Sequence, residues 1–428
     1  MHDRRIGAVA QEEGGQFASF QYDDAFLRSG VEVAPIHLPL SGQPYRFENL
    51  GRASFHGLPG LLADSLPDKF GTRLIDAYLS GLGRSPGSAS AVERLCYTGR
   101  RGVGALEFEP ARGPAMSEST DIQIAALVRL ASEVLADRKS LDVSMASGQE
   151  AQAMRDILRV GTSAGGARAK AVVAWNPETD AVRSGQAKAG PGFEHWLLKF
   201  DGVSENKDRE ELADPQGHGA IEYAYSLMAR AAGIEMTECR LLEENGRRHF
   251  MTKRFDRIGE QKVHMLSLGA MAHFDFKQAG AYAYEQAFMT IRQLGLGTSA
   301  IEEQYRRAAF NIIARNQDDH VKNIAFLMDR SGQWSLSPAF DLAYSYNPSG
   351  DWTAHHQMSL NGKVDDFTLD DLRSGAERAI LKRRRAQEIV QEVLDAVSAW
   401  PDFAAKAGVC AHHVDSVRDN LRLSLPAS

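Results

Sequence analysis

The amino-acid sequence predicts an α+β protein: a β-rich first half that carries an extra N-terminal module, followed by an all-α C-terminal lobe. Short extended segments punctuated by Gly, Pro and Asn turns dominate the first half, whereas apolar residues at helical spacing dominate the second. A length of 428 residues exceeds what one core ordinarily organises and implies two or three packed units. With 43% hydrophobic and 25% charged residues, the composition is that of a folded globular chain. A Gly/Pro/Ser stretch at residues 110–119 is the linker candidate. It divides a β-rich module, residues 1–112, from a segment 113–215, and the helical lobe takes residues 216–428.

Residues 5–10 and 17–22 read as strands around Glu12-Glu13-Gly14-Gly15, a hairpin turn. Residues 31–40 read as a further extended segment, closed by Ser41-Gly42-Gln43-Pro44. Over residues 55–71, FHGLPGLLADSLPDKFG, paired prolines and glycines break the chain into short helical pieces. Helices are expected over 74–79, 90–97 and 122–135, with a strand-like alternation in GRRGVGALEFEP before Pro110. From residue 157 the pattern becomes strand, glycine-rich turn (GTSAGGARAK, 161–170) and strand (171–175), with another strand in HWLLKF, 195–200. Residues 217–232 read as a helix closed by Gly233, and 239–242 with 249–255 as a hairpin about Glu244-Asn245-Gly246. Amphipathic helices over 284–294 and 301–315 precede a compact unit, residues 316–347. There two short strands, 324–328 and 334–336, meet at Arg330-Ser331-Gly332, and helices complete the chain.

The net charge of −7 is spread along the chain, which argues against a broad basic surface that grips nucleic acid. The run Lys382-Arg383-Arg384-Arg385 reads as a solvated face in mid-helix. No apolar run approaches the ~20 residues of a membrane helix, and Glu12 and Glu13 interrupt the only N-terminal candidate for a signal segment. Cys96, Cys239 and Cys410 are odd in number and far apart, which fits a reducing, cytoplasmic compartment and no metal-ligand spacing. The pairs His355-His356 and His412-His413 lack the neighbours a zinc site needs.

Three pieces carry chemistry. The first is Asp318–Asn323, DDHVKN, on a loop between a helix and a strand. An acid and an asparagine five residues apart suit phosphoryl transfer: Asp318 accepts the proton of an attacking hydroxyl while Asn323 offers a hard oxygen to magnesium. Lys322 between them is placed to neutralise a transferring phosphoryl group. The second is Asp341 in LSPAFDLAYS, delivered by the hairpin that leaves the first piece and able to face Asn323 and complete the metal site. Alone, either aspartate would more often be a turn or cap residue. The third is the glycine-rich turn before Lys170, then Lys199 on an alternating strand. Glycines let backbone amides approach phosphate oxygens, and a strand lysine pairs with α- and β-phosphates. The turn is neither GxGxxG nor GxxxxGK[ST], so a P-loop NTPase is excluded. The order glycine loop, strand lysine, hairpin, helices, DxxxxN, hairpin, Asp is that of a two-lobed kinase. Residues 252–255 then form the connection between lobes, where backbone groups hold adenine.

The sequence resembles the HipA family, serine/threonine kinase toxins of bacterial type II toxin–antitoxin modules. FHGLPGLLADSLPDKFG resembles the family's N-terminal signature, SAGGARAK its phosphate-binding loop, LLKF its ATP-lysine strand and KRFDR its interlobe segment. DDHVKN resembles its catalytic loop and SPAFDL its metal-binding motif. The resemblance implies a protein-kinase-like fold, ATP and Mg2+ as cofactors, and roles for particular residues. Asp318 matches the catalytic base; Asn323 and Asp341 match the magnesium ligands. Lys199 matches the ATP lysine, His320 an ATP-contacting histidine, and Lys253, Arg254 and Phe255 the hinge. Lys322 and Phe340 join the nucleotide site. Gly165, Gly166, Ala167, Arg168, Ala169 and Lys170 match the loop over the phosphates, and Ser163 matches the serine whose autophosphorylation ejects that loop. Lys253 stands where the family often has glutamate, and the loop reads GGARAK rather than GAQEK. As partners the resemblance implies a HipB-like helix-turn-helix antitoxin, operator DNA only through that antitoxin, and a protein substrate such as an aminoacyl-tRNA synthetase. The motifs specify phosphoryl transfer but not the acceptor, so a small-molecule or lipid kinase and a non-catalytic regulatory partner of a DNA-binding antitoxin stay open.

Overall fold

A computed structural model describes residues 1–112, 124–135, 168–185, 189–203 and 217–428. These divide into two compact units. The first comprises Met1–Val33, Leu38–Asn206 and Arg240–Met265; the second comprises Ala34–His37, Lys207–Cys239 and Leu266–Ser428. Residues 240–265 thus leave the helical segment to which the sequence boundary at residue 216 assigned them. The physical reason is strand pairing: Arg247–Lys253 extends the sheet of the first unit.

That sheet has five strands in the order Val182–Ser184, Lys170–Trp175, Glu194–Lys199, Arg247–Lys253, Cys239–Glu244. The last two strands meet at Asn245-Gly246, whose φ values of +46° and +75° are the two left-handed positions a type I′ hairpin requires. Antiparallel register sets Lys170 against Lys199 and Val173 against Trp196. One face carries Ala171, Val173, Trp196 and Leu198 into a core with Phe70 and Leu74 of helix Lys69–Gly81 and with Leu127 and Val128 of helix Ile124–Leu135. Period-two alternation therefore sends Lys170 and Lys199 to the opposite face. Helix Lys69–Gly81 begins where Asp68 Oδ1 accepts the Gly71 N–H at 2.6 Å, and helix Ala91–Thr98 where Ser90 accepts from Glu93.

The N-terminal hairpin forms as read, with Gly7–Gln11 pairing antiparallel to Ala18–Tyr22. Residues 31–40 hold no strand: Pro35 and Pro39 lack N–H groups and fix φ, while Val33 and Leu38 are buried without a ladder. GRRGVGALEFEP likewise forms bends, since Gly104, at φ +74°, packs against the backbone of Met265. The expected strand 157–160 and most of the 110–119 linker lie outside the described residues.

In the second unit, helix His218–Ala231 packs against helix Trp400–Ala407 through Tyr225, whose ring meets Trp400 and Phe310 edge-on at 5.4 and 6.2 Å. Helix Thr298–Ile313 is buried along nearly its whole length from Gln304 onward. The lobe is not all-α. It contains the hairpin Ala325–Met328/Trp334–Leu336 and a short parallel pairing of Tyr282–Ala283 with Met358–Ser359. The basic run 382–385 opens helix Arg383–Ser398 instead of lying within it, because the preceding helix ends at Arg378. Arg384 pairs with Glu388, and Arg385 reaches Glu302 and Glu392, which offsets the unfavourable placement of cations at a helix start. Among the described residues no helix is long and apolar enough to cross a membrane.

Candidate functional site

In the second unit the candidate site starts where helix Thr298–Ile313 stops. Arg315 turns left-handed (φ +55°), and Asn316 donates back to the Asn311 amide oxygen at 2.9 Å, which aims the following loop. The loop Asp318–Asn323 closes on itself. Asn323 N donates to His320 O and Asn323 Nδ2 donates to the Asp318 carbonyl, both at 2.8 Å. With its nitrogen so engaged, the Asn323 side chain keeps its amide oxygen as a hard donor.

The two adjacent aspartates face opposite ways. The Asp318 carboxylate is about one-third exposed, and its Oδ1 accepts the Trp352 indole N–H at 2.8 Å. Asp319 is fully buried and accepts from three donors: Tyr284 OH at 2.6 Å, His356 Nδ1 at 2.8 Å and Gln357 N at 2.8 Å. Burial pushes the Asp319 pKa up, but the His356 imidazole foremost, then the Tyr284 hydroxyl and the Gln357 N–H, outweigh it and hold the carboxyl below the usual carboxylate range. Burial and the Asp319 charge together drive the Tyr284 phenol well above its ordinary value, so it stays a donor. His320 Nε2 stands 3.8 Å from Asp318 Oδ1, beyond hydrogen-bond reach. Its ring and the Lys322 ammonium both approach Phe276, with Nζ 5.0 Å from the ring centroid.

The hairpin that follows returns the chain to this loop: Phe326 faces Leu336, Ser337 N donates to Ala325 O at 2.9 Å, and Ala339 then bridges to Met236. Asn323, His320 and Phe340 line one small pocket with Asp319, Asn311 and Tyr284. Asp341, next to Phe340, takes the left-handed conformation at φ +55°, uncommon for a residue other than glycine and a form of local strain often kept at functional positions. Among the described residues no group of three or more His, Cys, Asp and Glu is arranged to hold a metal. Magnesium needs fewer: one or two protein oxygens beside substrate phosphates; the Asn323 amide oxygen and the Asp341 carboxylate are donors of that kind, and of the two only Asn323 lines the pocket.

In the first unit, Lys170 and Lys199 are both buried and sit directly opposite on the same sheet face. Like charges so placed repel, which a nearby anion offsets. One is supplied internally: Asp68 Oδ2 lies 3.7 Å from Lys170 Nζ, with both side chains almost wholly buried. Lys199 Nζ also lies 5.7 Å from the Phe250 ring. Ala169 O accepts from Phe200 N, and Arg168 reaches toward Phe200 O at 3.5 Å, so the described end of the glycine-rich loop is tied to the lysine strand. Ser163, Gly165, Gly166 and Ala167 lie outside the described residues. At the expected hinge, Lys253 pairs with Glu194 and Arg254 N continues the ladder to His195 O at 2.9 Å; Phe255 follows, half-buried. The Arg254 guanidinium grips Asp256 through Nε at 2.8 Å and Nη2 at 2.6 Å, so it serves the interior of this unit.

Sequence reasoning missed Trp352, Tyr284, His356 and Asp68. Only Asp68 carried a signal: Pro-Asp ahead of an apolar helix is an N-cap pattern. The donors of Asp319 come from residues 35 and 37 positions away, and no local pattern announces them.

Comparison with known proteins bears on these residues as follows. A family model described as the HipA-like C-terminal domain matches residues 162–400, and one described as the HipA N-terminal domain matches residues 1–109. Two proteins of Sinorhizobium fredii (strain NBRC 101917 / NGR234) are similar. "Putative kinase Y4mE" is 25% identical across 98% of this chain and 96% of its own. "Putative kinase Y4dM" is 27% identical across 52% of this chain, and the match spans about half (55%) of its own length. Among solved structures, the fold resembles that in the Shewanella oneidensis MR-1 toxin–antitoxin system complex of HipA, HipB and its operator DNA. The TM-score is 0.64 at 16% identity, covering 97% of each chain.

Proposed function

The chain belongs to the HipA family, and from that premise we propose that it is an ATP- and magnesium-dependent serine/threonine protein kinase, the toxin of a toxin–antitoxin pair. The observation that carries the reading is the Asp318–Asn323 loop. One carboxylate oxygen of Asp318 is pinned by Trp352, and the group stays partly open to solvent. That leaves the second oxygen to accept the proton of a Ser or Thr hydroxyl as its oxygen attacks the γ-phosphorus and ADP departs. When bound, magnesium would supply neutralisation of the charge that develops on the phosphates. Asn323 and Asp341 are the residues to hold it. Lys199, and Lys170 under the restraint of Asp68, favour the phosphates electrostatically; within the Asp318–Asn323 loop, His320 contacts ATP and Lys322 neutralises the transferring phosphoryl group. Lys253 to Phe255 hold the adenine end through backbone groups. Ser163 is the proposed autophosphorylation site, because a phosphoserine adds about −1.5 to −2 charges where ATP phosphates would sit.

We place a HipB-like helix-turn-helix antitoxin as the partner. The net charge of −7 favours operator binding through that partner rather than through this chain. An aminoacyl-tRNA synthetase is the proposed substrate class, and the cytoplasm the compartment. The test incubates the protein with γ-labelled ATP, magnesium and cell lysate, beside Asp318→Ala. One labelled protein band with wild type, reduced about 10²- to 10⁴-fold by the substitution, is the expected outcome. Labelled lipid or metabolite in place of protein would move the reading to a small-molecule kinase. Equal labelling by Asp318→Ala would remove Asp318 as the base.

A further inference from the structure

We propose, resting on the kinase reading of Asp318, that the segment from Trp352 to Gln357 together with Arg422 forms a positioning clamp on the catalytic loop. The segment takes hold of both adjacent aspartates. Trp352 Nε1 donates to Asp318 Oδ1, while His356 Nδ1 and the Gln357 N–H take the two oxygens of Asp319, each bond at 2.8 Å. The Gln357 side-chain amide donates to the Trp352 carbonyl, which ties the two ends of the segment together. Fixing two neighbouring side chains that point in opposite directions fixes the peptide between them, so the orientation of the Asp318 carboxylate is set from outside its own loop.

The clamp has its own anchor near the end of the chain. Arg422 Nη1 lies 2.9 Å from His356 Nε2. A guanidinium only donates, so Nε2 is the acceptor and the imidazole proton sits on Nδ1, facing Asp319. Arg422 therefore selects the tautomer that Asp319 needs. The same residue is held by its own N–H on Ile313 O at 2.9 Å, by Nη1 on Ile312 O at 3.0 Å and by Asp365. Its bonds thus join the end of helix Thr298–Ile313 to the clamp. Positioning residues of this kind matter because a displacement of about 1 Å at a reacting group costs about 10²-fold in rate.

The experiment uses full-length protein labelled with ¹⁵N. The Trp352 Nε1–H resonance, assigned by its loss in Trp352→Phe, reports the Asp318 contact directly. His356→Ala and Arg422→Ala are expected to move that resonance. They should also lower turnover about tenfold to a hundredfold, with KM for ATP changed less than twofold. His356→Asn, whose amide can still donate to Asp319, is expected to restore the resonance and most of the turnover. An unmoved Trp352 resonance in both alanine variants, or an Asn variant no better than the Ala one, overturns the clamp. Should wild type transfer no phosphoryl group to any acceptor, the kinase reading fails, and the resonance of the folded variants still decides the clamp.

Discussion

Asp256 in the first unit and Asp319 in the second are both buried carboxylates held below their ordinary pKa, yet they are held by different means. Asp256 is gripped by two guanidiniums, Arg254 and Arg257, and by the Gly104 N–H at 2.7 Å. Burial opposes its ionisation, and the two cations outweigh burial. Asp319 has no guanidinium against its carboxylate; its donors are an imidazole, a phenol and a backbone N–H. The first arrangement joins formal charges from residues 254–257 to the backbone of residues 102 and 104 and suits a structural knot. The second surrounds a charge with fixed dipoles beside the candidate base. It restrains geometry without a guanidinium on the carboxylate, next to the proposed magnesium and phosphate site.

Substituting each aspartate tests that contrast most severely. Asp256→Asn leaves two buried guanidiniums without a counter-charge and should cost about 3–5 kcal/mol of stability, read as a lower urea midpoint. Asp319→Asn removes one charge from among an imidazole, a phenol and a backbone N–H and should cost about 1–3 kcal/mol, with a disproportionate fall in turnover. A reversal, with Asp319→Asn the more destabilising and turnover per folded molecule intact, would mean that Asp319 is the structural knot.

How far these two sites can be read from sequence differs in the same way. The elements are legible: Asn245-Gly246 marks its hairpin, Ser90 and Asp68 begin their helices, and DDHVKN falls on the loop between helix and hairpin as expected. The family resemblance also reaches both halves of the chain. What supports the Asp318–Asn323 loop is not legible, because Trp352 reaches Asp318 across 34 positions and Arg422 reaches His356 across 66. The Asp68–Lys170 pair joins a helix cap to a strand start in the same non-local fashion. Nor does periodicity reveal that Pro35 and Pro39 prevent a strand over residues 31–40.

Acid provides a gentler probe. A carboxylate whose folded pKa is depressed contributes stability that is fully present above the unfolded value, about 3.9, and is lost as pH falls toward the folded value. Both aspartates fall in this class. Below pH ~4 the unfolded chain binds the proton that the folded chain refuses, so stability falls by up to about 1.4 kcal/mol per pH unit for each group. Urea midpoints measured from pH 5 to 3 should show a shallower acid limb in either Asn variant than in wild type. The flattening should be greater for Asp256→Asn, where two cations resist protonation. Equal flattening would mean that the imidazole, phenol and backbone N–H restrain a buried carboxylate as firmly as two guanidiniums do.

The smallest effect is expected one residue from the Asp256 knot. Lys253 and Glu194 form an ion pair at 2.5 Å, but both side chains are 34% exposed, whereas Arg254 and Asp256 are 6% and 4% exposed. Solvent screening and the entropy of holding two long side chains should reduce this pair to about 0.2–1 kcal/mol in a double-mutant cycle of Lys253→Met and Glu194→Gln. Added salt should weaken it further. The pair also separates two roles for Lys253. If the residue only joins neighbouring strands, Lys253→Met leaves ATP affinity unchanged and the coupling to Glu194 accounts for its stability effect. If it also serves the nucleotide, ATP affinity falls in Lys253→Met but not in Glu194→Gln, and a half-exposed position in the first unit becomes functional while its buried neighbour stays structural.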